Sequence, residues 1–232
     1  KHVHVDETNI QFRYCTEAIV EGTGIDQESL KRDAGSYGDS IVVVGSNKRT
    51  RVHIHTNEPA DLFYRLGKYG SITQQKVDDM EMQYRVSQRR KYPIALVIDS
   101  VCDLPREIID YYQIHVVPLF LNFGESHYLD KITIKPDQFY SMLESTDIYP
   151  VSAQPGINSF QNLYHFLATH YDSVIAIHVS DKLSGTWNSS LKAAERLKGK
   201  KISVINSRHV SGSFGLLVLR AAQLIENGTD HD

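Results

Sequence analysis

The chain has 232 residues, which is enough for two modest domains or one large one. Hydrophobic residues make up 41% of it and charged residues 23%, as in an ordinary folded protein. The formal net charge is only −3 and basic residues cluster only at 89–91, so a broad nucleic-acid-binding face is not expected.

Two further features bear on the compartment. No apolar run approaches the roughly 20 residues that span a bilayer, and the first residues, KHVHVDE, lack the apolar stretch of a secretory signal. Cys15 and Cys102 lie far apart, on opposite sides of the predicted domain boundary, which favours reduced thiols or metal ligands over a disulfide. The sequence therefore predicts a cytoplasmic protein.

The first elements alternate between strand and helix. Residues 11–20 are rich in β-formers and predict a strand, and Asp26 is placed to cap the helix that follows. Two further β-rich runs, 40–44 and 51–56, flank the turn GSNK in the way that the two strands of a hairpin do.

The next residues complete a small domain. Asn57 is expected to cap a second helix that has Pro59 in its first turn and ends at Gly70, and a last strand closes the domain near Val77. The predicted order is βαββαβ, a ferredoxin-like α+β fold in which two helices cover one face of an antiparallel sheet.

The composition changes after this domain. Residues 78–92 are highly charged with few core-grade side chains, so they predict a linker or an exposed helix. We assign 1–83 to the first domain, 84–92 to the linker and 93–232 to the second domain.

The second domain predicts an α/β fold with a parallel sheet. Continuous apolar runs of this kind suit strands buried on both faces, and segments with helical spacing lie between or after them. The runs are 94–98, 116–121, 174–179 and 202–205. Residues 122–135 show no pattern that assigns an element. The last helix is expected to end at Asn227-Gly228. The chain ends soon afterwards, as expected if it were cut at a boundary between two domains.

Hydroxyl-rich turns follow three of the predicted strands. The carboxyl ends of the strands in an open α/β sheet form the ligand crevice, and helices that begin beside Ser184 and Ser211 would offer free N–H groups to an anion. These residues predict a carboxylate or phosphate site. The turns are Asp99-Ser100, Ser180 with Ser184-Gly185-Thr186, and Ser207 with Ser211-Gly212-Ser213.

Hydroxyl-rich turns also occur without a ligand or in other classes of protein. Serine and glycine cap helices and turns throughout soluble proteins, so each turn alone needs no ligand. The Walker signature is absent, which argues against nucleotide hydrolysis. A serine hydrolase is also disfavoured, because no G-x-S-x-G motif exists and neither His178 nor His209 can be assigned as a general base.

A family resemblance joins these motifs, which occur in the right order over about residues 93–232. They are DSVCDLP (99–105), VPL (117–119), PVSAQP (150–155), LSGT (183–186) and the segment 207–215. This region resembles the DegV family, and the resemblance implies a protein that holds a long-chain fatty acid in an apolar tunnel and binds its carboxylate with two hydroxyl groups. By position these are Ser152 and Ser184. The full candidate set is Ser152, Ser184, Gly185, Thr186, Ser100 and Ser211.

The chain departs from the family pattern in two ways. Val151 and Ala153 stand where the family usually has hydroxyl residues, so fewer headgroup contacts are expected. The family also has a second, C-terminal domain that covers the tunnel, and this chain ends before it. Because acyl burial contributes about 0.8 kcal/mol per CH₂, half a tunnel is expected to bind lipid weakly or not at all.

The first domain contains candidate metal ligands. His53 and His55 lie two residues apart in RVHIHT, so on a strand both imidazoles project from the same face, and Cys15 lies on another predicted strand. A Cys-His-His set with an open fourth position would form a reactive zinc site. Paired histidines on such a strand are also commonly just solvated, as expected for His2 and His4.

These residues also resemble a known module. YCTE (14–17), GDS (38–40) and VHIHTN (52–57) are similar to the middle, phosphatase-like module of dihydroxyacetone-kinase-like proteins, over about residues 10–83. In the fatty acid kinase relatives this module follows an ATP-binding helical domain and carries zinc through residues matching Cys15, His53 and His55. The resemblance implies that Lys1 follows the kinase portion of a longer chain.

Three hypotheses follow. In the leading one, the parent protein binds a fatty acid and presents its carboxylate to a kinase domain with ATP, in cis or in trans, to give an acyl phosphate, while this chain itself is non-catalytic. The second is a zinc-dependent phosphohydrolase in which the metal activates water. The third makes the first domain a pure protein-interaction module.

Overall fold

The chain folds into two compact units in a computed structural model that describes residues 10–232. The first unit comprises the chain up to Arg85 together with Phe120–Ala153, and the second comprises Val86–Leu119 and Gln154–Asp232. In chain order the elements are β1 (Tyr14–Glu21), α1 (Gln27–Gly35), β2 (Gly38–Gly45), β3 (Arg49–Thr56), α2 (Pro59–Leu66), β4 (Ser71–Asp79), α3 (Met80–Gln88), β5 (Ile94–Asp99), α4 (Arg106–Tyr111), β6 (His115–Val117), β7 (Phe120–Phe123), β8 (Ser126–Leu129), α5 (Pro136–Ser145), β9 (Val151–Ala153), α6 (Ile157–His170), β10 (Ser173–His178), α7 (Thr186–Glu195), β11 (Ile202–Asn206) and α8 (Ser211–Glu226).

The first unit is built on a four-stranded antiparallel sheet in the order β2-β3-β1-β4. Together with α1 and α2 this gives the order βαββαβ, so the predicted ferredoxin-like arrangement is confirmed. Alternate residues of β1 and β3 are buried and the residues between them are partly or fully exposed, because successive strand side chains point to opposite faces. The buried set packs with both helices in one core that includes Ala18, Val20, Leu30, Val52, Ile54, Leu62, Phe63 and Leu66.

The two predicted helix caps had different outcomes. Asp26 does cap α1, because its side chain accepts hydrogen bonds from the backbone N–H groups of Glu28 and Ser29. The prediction for Asn57 was wrong: α2 begins after Glu58, and the Asn57 side chain instead accepts a hydrogen bond of 2.8 Å from the backbone N–H of Arg13. The helix also ends at Leu66, earlier than the predicted stop at Gly70.

A second, three-stranded antiparallel sheet in the first unit has the order β8-β7-β9. It includes residues from the range 122–135, for which no element was predicted. Phe123, Tyr128 and Ile134 are buried and belong to the same hydrophobic core as the helices of the ferredoxin-like sheet. These strands have only three or four residues each, so packing against that core, rather than local preference, stabilises them.

The second unit contains the predicted parallel sheet, in the order β11-β10-β5-β6. Every residue of β5 is buried, as its continuous apolar run predicted. One side of the sheet packs in a core with α4 and α8 that includes Ile98, Ile109, Phe214 and Val218. The final helix ends before Asn227, with Gly228 at φ +78°, as predicted for its C-cap.

Two strand predictions in this unit were wrong. The run 116–121 is not one strand, because Pro118 separates β6 in the parallel sheet from β7 in the three-stranded sheet. The run 202–205 is not buried on both faces, since β11 lies at an edge of its sheet and Ile205 is 43% exposed. An edge strand has a neighbour on one side only, so an apolar sequence does not by itself show that both faces are covered.

The strand order places a topological switch point between β5 and β10. From β5 the chain passes to β6 on one side, and it later returns to β10 on the other side. Ligands of open α/β sheets bind at such a point, outside the carboxyl ends of the strands. No helix within residues 10–232 is both long enough and apolar enough to cross a membrane.

Candidate functional site

The carboxyl ends of β5 and β10 meet in a buried ionisable pair. Asp99 ends β5 and His178 ends β10, and the distance from Asp99 Oδ2 to His178 Nδ1 is 3.1 Å with both side chains 0% exposed. The same carboxylate accepts a hydrogen bond of 2.8 Å from the backbone N–H of Val179. It therefore holds the two strand ends together at the switch point.

Two of the candidate serines in this unit already take part in structural hydrogen bonds. Ser100 is buried, and its hydroxyl accepts a hydrogen bond of 3.0 Å from the backbone N–H of Leu119. Ser211 is exposed at φ +56°, and its hydroxyl donates to Asp103 Oδ2 at 2.6 Å. These hydrogen bonds give both serines a structural role that needs no ligand. Their role in binding a carboxylate stays a prediction.

The turn Ser184-Gly185-Thr186 forms the start of α7, in which Gly185 is the N-cap and Thr186 the first helical residue. Ser184 Oγ accepts a hydrogen bond of 3.2 Å from the backbone N–H of Thr186 and lies 2.8 Å from the Thr186 hydroxyl. Ser184 and Gly185 are partly exposed, whereas Thr186 is buried. The N–H of Thr186 is thus already paired with Ser184, and the Ser184 hydroxyl lies beside the N-terminus of a ten-residue helix, whose partial positive charge suits an anion.

Gln154 packs on this turn, although no role was predicted for it. Its Nε2 donates a hydrogen bond of 2.9 Å to the hydroxyl of Ser189 on α7. A Cβ atom on Gly185 would lie 2.1 Å from Gln154 Oε1, so any side chain at position 185 would displace the Gln154 amide. The only signal in the sequence was its position in the motif PVSAQP, two residues after Ser152.

The contact between Gln154 and Gly185 predicts that substitutions at these two positions have non-additive effects on stability. Gly185→Ala is expected to displace the Gln154 side chain and to lower the free energy of unfolding by about 1 kcal/mol, because the hydrogen bond to Ser189 is lost. In a Gln154→Ala background the same glycine substitution is expected to cost much less. Urea denaturation followed by the fluorescence of Trp187, the single tryptophan, measures both. Additive effects would contradict the proposed contact.

Ser152 lies on β9, where its backbone pairs with Leu121 of β7 and the residue is exposed. It belongs to the first unit, whereas Ser184 belongs to the second. Their meeting around one carboxylate therefore stays a prediction.

The three candidate metal ligands come together on the partly exposed face of the ferredoxin-like sheet. Cys15 on β1 pairs with His55 on β3, and His53 lies two residues earlier on the same strand. One donor atom from each of the three side chains lies within 4.8 Å of the others. The distance from Cys15 Sγ to His53 Nδ1 is 4.0 Å. Thiolate sulfur and imidazole nitrogen are the donors that zinc prefers, so this set fits the predicted metal.

Carboxylates surround these ligands. Glu17 Oε1 lies 3.6 Å from His53 Nδ1, and Asp39 Oδ1 lies 3.7 Å from His55 Nδ1. These carboxylates place negative charge beside the candidate ligands, which favours a bound cation. This role was not predicted, although Glu17 lies at i+2 from Cys15 and period two puts the two on one face.

Without a metal, the local electrostatics favour the neutral forms of Cys15 and His55, through shifts in their pKa values. Burial, and then the neighbouring carboxylate of Asp78, raise the pKa of the Cys15 thiol. Burial, and then His53, lower the pKa of His55. A neutral imidazole is ready to bind a cation, whereas the thiol must lose a proton, so metal binding here would release one. His2 and His4 lie outside the described residues.

Comparison with known proteins assigns the second half of the chain. The family model of the DegV proteins matches residues 93–232, which is more than half of the chain. The chain belongs to the DegV family. A second family model, described as the middle domain of FakA-like fatty acid kinase proteins, matches residues 11–87. The first match includes Ser152 and Ser184, and the second includes Cys15, His53 and His55.

Individual relatives support the assignment. The chain is 42% identical over 135 residues to a DegV domain-containing protein, CPE1310, of Clostridium perfringens, in a match that covers 58% of this chain and 48% of that protein. Two solved structures are similar, a fatty-acid-binding DegV family protein from Thermus thermophilus and the fatty-acid-binding protein DegV from Bacillus subtilis. Their identities are 32% and 33%, both TM-scores are 0.57, and both matches cover 60% of this chain and 49% of the other. The chain thus spans about half the length of these relatives.

Proposed function

We propose that the chain is the fatty-acid-binding part of a fused, fatty acid kinase-like protein, and that Ser152 and Ser184 bind the acyl carboxylate. The observation that carries the proposal is the turn Ser184-Gly185-Thr186 at the start of α7, in a chain that belongs to the DegV family. The solved relatives from Thermus thermophilus and Bacillus subtilis are described as binding fatty acids.

The chemistry of the turn suits a carboxylate. A hydroxyl that donates to a charged acceptor contributes more than one that donates to a neutral acceptor, and the N-terminus of α7 adds a partial positive charge. Gly185, Thr186, Ser100 and Ser211 complete the proposed carboxylate-binding set. The acyl chain would supply most of the affinity, since each buried CH₂ contributes about 0.8 kcal/mol.

The proposed role of the bound lipid is to present its carboxylate for phosphorylation. The match of residues 11–87 to the middle domain of FakA-like fatty acid kinase proteins supports a kinase context. In this proposal a kinase domain, in cis or in trans, transfers the γ-phosphoryl group of ATP to a carboxylate oxygen, which yields an acyl phosphate and ADP. The chain itself binds and orients the acid, and its zinc module supports the partner rather than reacting.

The proposal predicts that Ser184→Ala weakens oleic acid binding about tenfold, because one charge-assisted hydrogen bond is lost. Binding is measured by calorimetric titration of this chain and of this chain extended by the C-terminal half of the Clostridium perfringens relative. Ser159→Ala, which replaces an exposed serine on α6, is the matched control and should bind like the unaltered protein. Equal affinity in all three proteins, or no binding even by the extended protein, would count against the proposal.

A second candidate function is favoured by the geometry of the cysteine and the two histidines. Three protein ligands with an open fourth position are typical of catalytic zinc, which lowers the pKa of bound water. In that case the chain would be a zinc-dependent phosphohydrolase. Release of phosphate from p-nitrophenyl phosphate that requires zinc and is lost in Cys15→Ala would support this function, whereas release equal to a metal-free control would remove it. Without bound metal, a pure interaction module is the remaining hypothesis.

A further inference from the structure

The two family matches divide the chain at about residue 90, but the packing does not follow that division. The segment Phe120–Ala153 lies within the DegV match and yet belongs to the same compact unit as the ferredoxin-like sheet. We call it the docking segment; it contains β7, β8, α5 and β9. Ser152, one of the two proposed carboxylate-binding residues, lies at its end.

Apolar contacts hold the docking segment in the first unit. Phe123, Tyr128 and Ile134 are 6%, 4% and 3% exposed, and they share one core with the two helices of the ferredoxin-like sheet. Within the segment, Phe123 and Tyr128 also pack edge to face on each other, with ring centroids 6.3 Å apart. Burial of this kind is the main stabilising contribution in a protein core, so the segment is part of the module and not a loose loop upon it.

Hydrogen bonds between β4 and the docking segment define the position of β8. The backbone N–H of Ile72 donates to the hydroxyl of Ser126 at 3.1 Å. The Gln75 side chain is used at both ends: its Nε2 donates to the carbonyl oxygen of His127, and its Oε1 accepts from the hydroxyl of Thr133 at 2.6 Å. Gln75 is therefore the residue of β4 most engaged with the segment.

A β-bulge turns Gln75 toward the segment. Ile19 of β1 pairs with Thr73 and Glu17 pairs with Lys76, so two residues of β4 lie where β1 has one. Gln74, the first of the two, has φ +51°, which is a left-handed conformation that non-glycine residues rarely adopt. Bulges commonly re-aim a side chain, and backbone strain of this kind persists only where the surrounding structure imposes it.

Charged and polar side chains add a second contact, between α2 and α5. Lys135 Nζ lies 2.8 Å from Asp61 Oδ2 and 3.1 Å from Glu58 Oε2, and Gln138 Nε2 donates to Asp61 Oδ1 at 2.8 Å. The charged groups are substantially exposed, so they stabilise little and chiefly fix the orientation of α5.

Strand pairing connects these contacts to Ser152. Leu121 on β7 pairs with Tyr128 of β8 on one side and with Ser152 of β9 on the other. All three residues of β9 are exposed, and its only strand neighbour within residues 10–232 is β7. The position of Ser152 in its unit is therefore set by β7, and that of β7 by the core and by β8, which β4 holds in place.

From these contacts we propose that the module matched by the fatty acid kinase family model positions the carboxylate-binding strand β9, with Gln75 as the principal positioning residue. The partner of the β4 surface is thus the docking segment of the same chain. The role of Ser152 in this inference rests on the proposed function, whereas the packing of the docking segment does not depend on that function.

Hydrogen–deuterium exchange on the full 232-residue chain tests the docking. Gln75→Ala is expected to accelerate amide exchange of β7 and β9 about tenfold while β1 and β3 exchange as before, because two hydrogen bonds that hold β8 are lost. Ser126→Ala removes the hydrogen bond that the Ser126 hydroxyl of β8 accepts from the backbone N–H of Ile72 on β4. It should accelerate exchange in the same peptides. Gln83→Ala, which replaces an exposed glutamine on α3, is the matched control and should leave exchange unchanged.

Different outcomes separate the two proposals. Unchanged exchange of β9 in both Gln75→Ala and Ser126→Ala, or equal acceleration throughout the first unit, would overturn the positioning role. If exchange responds as expected, oleic acid binding by the extended protein should also weaken in Gln75→Ala at an unchanged melting temperature of the second unit. Failure of the unaltered extended protein to bind oleic acid counts against the proposed function alone, since the exchange result still decides the docking.

Discussion

Replacing Cys15 by alanine is expected to weaken zinc binding by the chain about 100-fold. The thiol is one of three donor groups within 4.8 Å of one another, and no other cysteine lies in the first unit within residues 10–232. A thiolate is also the only ligand of the set that brings negative charge to the cation. Titration of the metal-free protein with zinc, in competition with a chromophoric chelator, measures the change.

Cys102→Ala is the matched control for this experiment. Cys102 is buried in the second unit, so its loss removes a sulfur atom without touching the predicted metal ligands. Zinc affinity should stay that of the unaltered chain. If Cys15→Ala and Cys102→Ala bind zinc equally well, the three side chains do not form the site, and the third hypothesis, an interaction module, becomes the better description of the first domain.

The main features of both sheets could be predicted because hydrophobic spacing records burial. The β-rich runs of β1 and β3 predicted strands of a sheet that two helices cover on one face, and the continuous apolar run of β5 predicted a strand covered on both faces. The docking segment could not be predicted in this way. Its strands are short, and Phe123, Tyr128 and Ile134 are buried in a core shared with residues far earlier in the chain, such as Leu66.

The candidate metal site was predictable for a similar reason. Period two places His53 and His55 on one face, and only the register, which pairs Cys15 with His55, was needed to bring the thiol to them. The role of Gln154 was not predictable, because it depends on the close approach of its amide to Gly185, and no spacing rule records such a contact. Asn57 shows the reverse case, in which a residue with a strong local preference for capping is used in a tertiary hydrogen bond instead.

Removing the carboxylate of Asp99 is expected to destabilise the second unit severely. In Asp99→Ala, three groups lose their hydrogen-bond partner: the ring Nδ1 of His178 and the backbone N–H groups of Val179 and Val101. A buried donor left without a partner costs about 1–3 kcal/mol, so the free energy of unfolding should fall by about 3–5 kcal/mol. Urea denaturation followed by Trp187 fluorescence reports on this unit, since Trp187 lies on α7.

The surroundings of Asp99 and His178 indicate that structural rearrangement should not restore the stability lost in Asp99→Ala. Asp99 and His178 are both 0% exposed, and the His178 ring packs edge to face on Phe160 at 5.1 Å between centroids, so water has no ready access to the orphaned imidazole. His178 Nε2 already lacks a hydrogen-bond partner among the described residues, and the substitution would leave the ring with none. Asp181→Ala, which replaces an exposed aspartate of the same unit, should change the free energy of unfolding by less than about 0.5 kcal/mol. A similar small change in Asp99→Ala would mean that the carboxylate does not hold the ends of β5 and β10 together.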